Sequence, residues 1–440
     1  MKFYNRTTEL EELQRIQNLS FTSNSRMTVI TGRRRIGKTS LILKSVENSI
    51  WVYLFVGRKN EATICTEFKS IISQALGAFI PDEVKTFRSL FILLMEIAER
   101  KPFVLVIDEF QEFYNVNASI YSDMQNIWDQ YKSKTKMHLI VSGSVYSLMQ
   151  KIFQNSKEPL FGRADNIIKL SAFDLSTLKQ IMQDYKPDFT NDDLLALYTF
   201  TGGVPKYVEL LCDNNALTVN EMIEFVVREN SSFIEEGKNL LVDEFGKNFA
   251  TYFSILNAIS GGINTQPAIE SALGDKSIGG QIKRLIEDYD ILIRLRPLQA
   301  KEGTQAVRYE IQDNFLRFWF NYFDRYRSLI EIRNYIGLQS IIKSDYTTYS
   351  GKILEKYFKQ KLAESYKFTA IGSWWEPKGN QNEIDIVALY LEKDKALAVE
   401  VKRNKKNFKA ERFLEKVEQL KRKSFANYTF ETICLSLEDM

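Results

Sequence analysis

Histidine is nearly absent from these 440 residues: His138 is the single one, and the three cysteines, Cys65, Cys212 and Cys434, stand far apart without Cys-x-x-Cys spacing. Tetrahedral zinc sites and histidine-based catalytic triads are therefore excluded. Net charge is scarce as well, at +3, so nothing global announces a nucleic-acid binder, although the stretch from Lys402 to Lys423 is dense in lysine and arginine. No uncharged apolar run is long enough to span a bilayer, and the opening Met1-Lys2-Phe3-Tyr4-Asn5-Arg6 has no apolar signal core. The expectation is a soluble cytoplasmic protein with no membrane partner. An apolar fraction of 44% supplies ordinary cores, and the length suits two to four domains. No internal repeat or low-complexity linker is evident.

What is present begins with phosphate chemistry. Residues 27 to 31 read as a short buried strand, Gly32-Arg33-Arg34-Arg35-Ile36-Gly37-Lys38-Thr39 fits G-x-x-x-x-G-K-[ST], and Ser40 to Glu47 open a helix. Glycines let such a loop wrap phosphates with backbone N–H groups; Lys38 reaches the β- and γ-phosphates of ATP and Thr39 gives Mg²⁺ an oxygen. Gly32, Arg35, Ile36, Gly37 and Ser40 complete the expected nucleotide set. Downstream, Phe103 to Ile107 is an apolar strand ending in Asp108-Glu109. Asp108 is expected to hold Mg²⁺ through water and Glu109 to activate the attacking water, the alternative being that either acid only caps the next helix. Ser142, ending the strand Leu139 to Ser142, is placed to sense the γ-phosphate or else to make a plain strand-end turn.

Further strand-like runs at Trp51 to Val56 and Leu139 to Ser142 alternate with helical segments such as Ser89 to Arg100 and Ser119 to Lys132, which implies a parallel sheet with helices on both faces. From Asp174 to about Asn239 the pattern is helical. Three short helices and two strands, Ile291 to Leu295 and Val307 to Ile311, then suggest a winged helix. Its third helix offers Gln281, Lys283 and Arg284 to DNA, while Ile282, Leu285 and Ile286 suit a buried face; a hinge role is the preferred reading. The expected organisation is an ATPase core over 1–173, a helical lid over 174–245, a winged helix over 246–315 and an α/β module over 316–440.

In that last module Glu383-Ile384-Asp385 and Glu400-Val401-Lys402 lie on consecutive predicted strands. Alternation puts Asp385 with Glu383 and Val387 on one face, and Glu400 with Lys402 on one face, with Leu397, Val399 and Val401 on an opposite, apolar one. A hairpin through Glu392 to Lys395 then sets Asp385, Glu400 and Lys402 side by side. Hard oxygen ligands suit Mg²⁺ or Mn²⁺, and the lysine can steady developing charge at a phosphodiester; strand-edge charges are the plainer reading.

Taken together, these motifs resemble the AAA-related STAND-type P-loop ATPases, over nearly the whole chain. The opening Phe3-Tyr4-Asn5-Arg6 with Glu9-Leu10 is similar to that family's N-terminal box near the adenine, Gly162-Arg163 to its arginine, and Gly202-Gly203-Val204-Pro205 to its lid motif. The resemblance implies that Arg163 approaches a γ-phosphate, in trans if the chain forms a homo-oligomer, and that Pro205 sits by the base. The terminal module resembles the PD-(D/E)XK nuclease-like fold, although the Pro-Asp pair of that name is absent as such. Glu355 on the helix Gly351 to Lys361 matches its early acid, making Glu355, Asp385 and Glu400 the implied metal ligands and Asp385, Glu400 and Lys402 the catalytic set. Lys402, Arg403, Lys405, Lys406 and Lys409 would add phosphate contacts to DNA, a solvated basic helix face being the alternative. Two functions remain open at this point: an ATP-gated switch with a DNA-directed nuclease effector, or an ATPase regulator whose terminal fold only binds nucleic acid or protein. A small-molecule kinase is the weaker third, opposed by Glu109 directly after Asp108.

Overall fold

The computed structural model describes residues 1–246, 249–300, 306–376 and 382–440. The chain divides into two compact units, one formed by Phe3–Ala172 and one by Met1–Lys2 with Phe173–Met440.

The first unit is built on five parallel strands: β1 (Arg26–Thr31), β2 (Trp51–Phe55), β3 (Phe103–Asp108), β4 (Met137–Ser142) and β5 (Asn166–Lys169), in the order β2-β3-β4-β1-β5. Parallel strands need helical crossovers, and helices such as Glu61–Leu76, Phe87–Arg100 and Ser119–Tyr131 supply them. Strand β3 is buried over its full length, as a near-continuous apolar run should be when helices cover both faces. Phe68, Phe87, Phe91, Phe110, Phe113 and Trp128 fill the space around it. His138 is also core: it is fully buried on β4, bonded through Nε2 to Thr28 Oγ1 at 2.9 Å, with Nδ1 unpartnered among the described residues. Burial drives its pKa down to about 3, so the imidazole is neutral.

The second unit starts with helices Leu175–Tyr185, Asn191–Thr201, Pro205–Asp213, Val219–Val226 and Ser232–Phe245. Helix Asn191–Thr201 is buried from Asp193 to Thr201, all round rather than on one stripe, which marks it as the centre of the unit. Thr190 and Asp193 close its N-terminus reciprocally, each side chain accepting from the other's backbone N–H. Helices Phe249–Ser260, Gln266–Ala272 and Gly279–Glu287 follow, then the antiparallel pair β6 (Leu292–Leu295) and β7 (Arg308–Ile311). Beyond helix Asn314–Phe318 the aromatic stretch winds as a π-helix over Trp319–Asp324, with Trp319 Nε1 donating to Ile234 O at 2.7 Å.

Helix Tyr335–Glu364 is a single element of 30 residues, starting well before the Gly351 expected from sequence. It leads into β8 (Phe368–Trp375), β9 (Glu383–Tyr390) and β10 (Lys395–Val401); helix Ala410–Ser424 then crosses to β11 (Thr429–Leu435). The sheet order is β11-β10-β9-β8, antiparallel except for the parallel pair β10 and β11. The face of β10 that carries Glu400 is not polar: Ala396 and Ala398 on it join Val387, Phe413, Val417 and Leu420 in an apolar core under helix Ala410–Ser424. Glu400 sits at the end of that face and is itself only 8% exposed.

Candidate functional site

Strand β1 delivers the chain into the loop Gly32–Gly37, and helix Lys38–Val46 leaves it. Gly32 and Gly37 both have positive φ, and a Cβ on Gly32 would meet the carbonyl oxygen of Leu170 at 2.7 Å, so the tight approach of loop to β5 requires glycine. Arg35 is left-handed too, at φ 69°. Lys38 is buried and its Nζ donates to the carbonyls of Gly32 at 2.8 Å and Arg33 at 3.0 Å, closing the loop around its own ammonium. Ile36 is buried beneath the loop. Its carbonyl accepts from Arg6 Nη2 at 3.5 Å, and the same nitrogen donates to Ser171 O at 2.6 Å, so the N-terminal box adjoins the phosphate loop.

At the neighbouring strand ends the acids are held by a dense set of donors. Asp108 Oδ2 accepts from Thr39 Oγ1 at 3.2 Å and from the Tyr53 phenol; Oδ1 accepts from Ser142 Oγ at 2.5 Å and from Glu109 N at 3.0 Å. Thr39 and Asp108, the pair expected at Mg²⁺, are thus in direct contact. Ser142 is fully buried and its hydroxyl is committed to Asp108. It orients that carboxylate, which is a different task from touching a phosphate. Burial and the Asp108 charge hold the Tyr53 phenol protonated, its pKa pushed well above the ordinary value. Glu109 follows in the left-handed region, at φ 53°, and its Oε2 accepts from Gln111 and Ser144.

Arg163 lies elsewhere. Asp165 N donates to Met27 O, and β5 pairs Asn166 with Thr28, so Arg163 is at the end of the sheet where β1 begins, whereas the phosphate loop follows where β1 ends. Five residues of strand separate the two levels, about 16 Å at 3.3 Å per residue. Its guanidinium pairs with Asp129 at 3.1 Å and donates to Phe161 O at 2.9 Å. An approach of Arg163 to its own chain's γ-phosphate is therefore ruled out by strand geometry. Pro205 belongs to the second unit, where it opens helix Pro205–Asp213 at the first position after Gly202 and Gly203.

In the terminal sheet the register Ile386 with Val399, carried one step on, sets Asp385 across from Glu400. Asp385 Oδ2 accepts from Val401 N at 2.7 Å. Glu400 is paired at both oxygens, with Lys402 Nζ at 2.8 Å from Oε1 and Lys416 Nζ at 3.5 Å from Oε2. Lys359 Nζ donates to Ser373 Oγ at 2.6 Å, which in turn donates to the carbonyl of Asp385 at 2.9 Å. Burial raises Asp385 to a pKa of about 6; the Glu400 charge adds to this, against the Val401 N–H and the two lysines. Glu355 is raised to about 8, by burial and then by Asp385, with Lys359 opposing. Burial disfavours the Lys402 ammonium, but its bond to Glu400 and the charge of Asp385 outweigh that and raise its pKa.

The acids crowd one another electrostatically, yet the expected ligand set of Glu355, Asp385 and Glu400 is not assembled as a cage. Among the described residues no three histidine, cysteine, aspartate or glutamate side chains stand close enough to hold a metal. The reason is local: two lysines draw Glu400, and a backbone N–H takes one oxygen of Asp385. Arg403 is also not available for phosphate, because it grips Asp192 through both carboxylate oxygens, at 2.8 and 2.9 Å, and donates to Ser350 at 2.5 Å. Lys405, Lys406 and Lys409 are exposed, as are Lys283 and Arg284, while Ile282 and Leu285 are buried.

Sequence reasoning missed Tyr53, Lys416 and Lys359. Tyr53 looks like one more β-former in an apolar strand. The two lysines look like members of solvated helix faces, and only the pairing of helices with strands brings them to carboxylates.

Residues 3–211 match the family described as an ATPase domain predominantly from Archaea, and residues 319–413 match a family of archaeal and bacterial proteins of unknown function. An uncharacterised protein of Methanocaldococcus jannaschii is 31% identical over 403 residues, which is 89% of this chain and 86% of that protein. A Walker-type ATPase of Pyrococcus abyssi superposes with a TM-score of 0.52 at 17% identity, covering 72% of this chain and 96% of its own. The ORC2 protein of Aeropyrum pernix, solved in ADPNP and ADP complexes, also gives 0.52, at 14% identity, over 78% of this chain and 96% of its own. At such identities the likeness is one of fold. Among the described residues no helix is long and apolar enough to cross a membrane.

Proposed function

The chain belongs to the same family as its Methanocaldococcus relative and carries over residues 3–211 the ATPase domain found predominantly in Archaea, and from that premise we propose that it is an ATP-hydrolysing switch of STAND type with a nuclease-like effector module. The observation that carries the first half is the direct contact of Thr39 with Asp108, at 3.2 Å, beside the loop closed by Lys38. That donor set fits Mg²⁺ with ATP: hydroxyl and carboxylate oxygens for the ion, an ammonium and loop N–H groups for the phosphates. When bound, the ion neutralises charge on the transferring phosphoryl group. Glu109 is the base for the attacking water, and Arg163, given its place, acts only on a neighbouring copy's nucleotide in a homo-oligomer. The test is ATP turnover by the full chain: Glu109→Gln should keep ATP bound and slow hydrolysis by about two to four orders of magnitude. Normal turnover would make Glu109 a structural residue.

Supporting the second half are the D…E-x-K elements in order on neighbouring strands after the helix that carries Glu355, and the convergence of Asp385, Glu400 and Lys402 on one face. Carboxyl groups shifted upward together are also what functional sites show. DNA is the proposed partner, through exposed Lys405, Lys406 and Lys409. A second reading, a module that binds without cutting, is favoured by one observation: Glu400 is already neutralised by two lysines. Incubating the protein with plasmid and single-stranded DNA, with and without Mn²⁺ and ATP, separates the two. Cutting that disappears in Asp385→Asn supports the nuclease; retention of DNA without cutting supports the binder.

A further inference from the structure

Resting on the reading of Glu109 as the base, we infer that Gln111 and Ser144 are positioning residues that fix which carboxylate oxygen of Glu109 meets the attacking water. Three donors converge on Oε2: Gln111 Nε2 at 2.5 Å, Ser144 Oγ at 2.7 Å and Ser144 N at 3.4 Å. A carboxylate oxygen so occupied has no free lone pair for a proton. Oε1 is therefore the atom that takes the proton of water, and the clamp on Oε2 sets its direction.

The clamp is built into the fold. Gln111 sits in the short 3-10 turn Phe110–Glu112 and is 1% exposed. Its amide orientation is dictated, because the reverse would set oxygen against carboxylate oxygen. Among the described residues its own Oε1 has no hydrogen-bond partner, a cost that an ordinary core glutamine avoids. Space for that amide comes from Gly143, where a Cβ would lie 2.2 Å from Gln111 Oε1 and 2.5 Å from Met149 Sδ. Glu109 itself is held in the left-handed region, which a glutamate adopts only when neighbours over-determine it. Strand ends β3 and β4 thus present the base and its two holders as one rigid group.

The test compares Gln111→Met, which keeps shape and removes the donor, Ser144→Ala, Ser144→Thr and Glu109→Gln, all in the full chain. Misdirecting a reacting group by about 1 Å costs on the order of a hundredfold. Gln111→Met and Ser144→Ala should each lower kcat for ATP by about ten- to a hundredfold with the Kd for ATP unchanged, and Ser144→Thr should keep the parental rate. An unchanged or increased kcat in variants that still bind ATP overturns the clamp. If Gln111→Met loses ATP binding, Ser144→Ala decides alone. Parental turnover in Glu109→Gln would instead remove the base reading, whereas an inactive Glu109→Gln beside a fully active Ser144→Ala removes only this inference.

Discussion

Acid should loosen the first unit through one side chain. His138 is fully buried on β4 with a pKa lowered from 6.5 to about 3 by burial. The unfolded chain therefore takes up a proton below pH 6.5 that the folded chain refuses until about pH 3, so this contribution to stability is complete above 6.5 and falls as pH drops. At about 1.4 kcal/mol per pH unit, the loss at pH 5 is about 2 kcal/mol. That is a substantial part of the 5 to 15 kcal/mol typical of a domain. It bears on function because β4 ends in Ser142, which holds Asp108. His138→Gln keeps an amide able to meet Thr28 but has no proton to gain, so it should remove this part of the pH dependence. The measurement is the urea midpoint of β1 and β4, read by hydrogen exchange at a common labelling pH after equilibration at pH 7 and pH 5. Equal losses in parent and variant between those pH values would refute the argument.

Lys38→Ala should abolish productive ATP binding, since a buried ammonium is lost from the phosphate loop; unchanged affinity and hydrolysis would contradict this. Arg163→Ala should leave single-chain ATP hydrolysis at dilution intact and lower it only at concentrations where copies associate; a loss at every concentration would mean the arginine acts within its own chain. Mn²⁺ should raise the melting temperature of the second unit and Asp385→Asn should abolish that gain. Because the Asp385 pKa is raised from 3.8 to about 6, its charged form lowers stability as pH rises through 6, so the asparagine variant should be the more stable of the two at pH 7 without metal.

The phosphate loop and Asp108-Glu109 were legible because their chemistry is contiguous: glycines, lysine, threonine and an apolar strand ending in acids are read within one window. Strand alternation likewise placed Glu400 and Lys402, two residues apart, beside Asp385 on the neighbouring strand of the hairpin, though not the contacts each of them makes. Strand β11 was invisible, since an edge strand with residues such as Glu431 turned to solvent has no apolar alternation to read. Helix Tyr335–Glu364 was seen only in its second half. Its buried positions, Leu338, Ile342, Tyr346, Ser350, Leu354 and Phe358, recur every four residues but include a serine and are joined by Ile353 and Tyr357, because it packs against helices along one part and against strands along another. The grip of Arg403 on Asp192 joins residues 211 apart, and nothing local in either foreshadows it.

That long helix also has a mechanical meaning. Thirty residues at 1.5 Å each make a rod of about 45 Å. Near one end Gln339 Nε2 is bonded to Val227 O at 2.6 Å and Lys343 is paired with Glu224; midway Tyr346 meets Asp192; further along stands Glu355, facing the charge of Asp385. Arg403, immediately after Lys402, ties the tip of β10 to the same Asp192. A push on the helices around Val227 therefore has a stiff lever and a tie-bar along which to travel, and both pass beside the carboxyl groups.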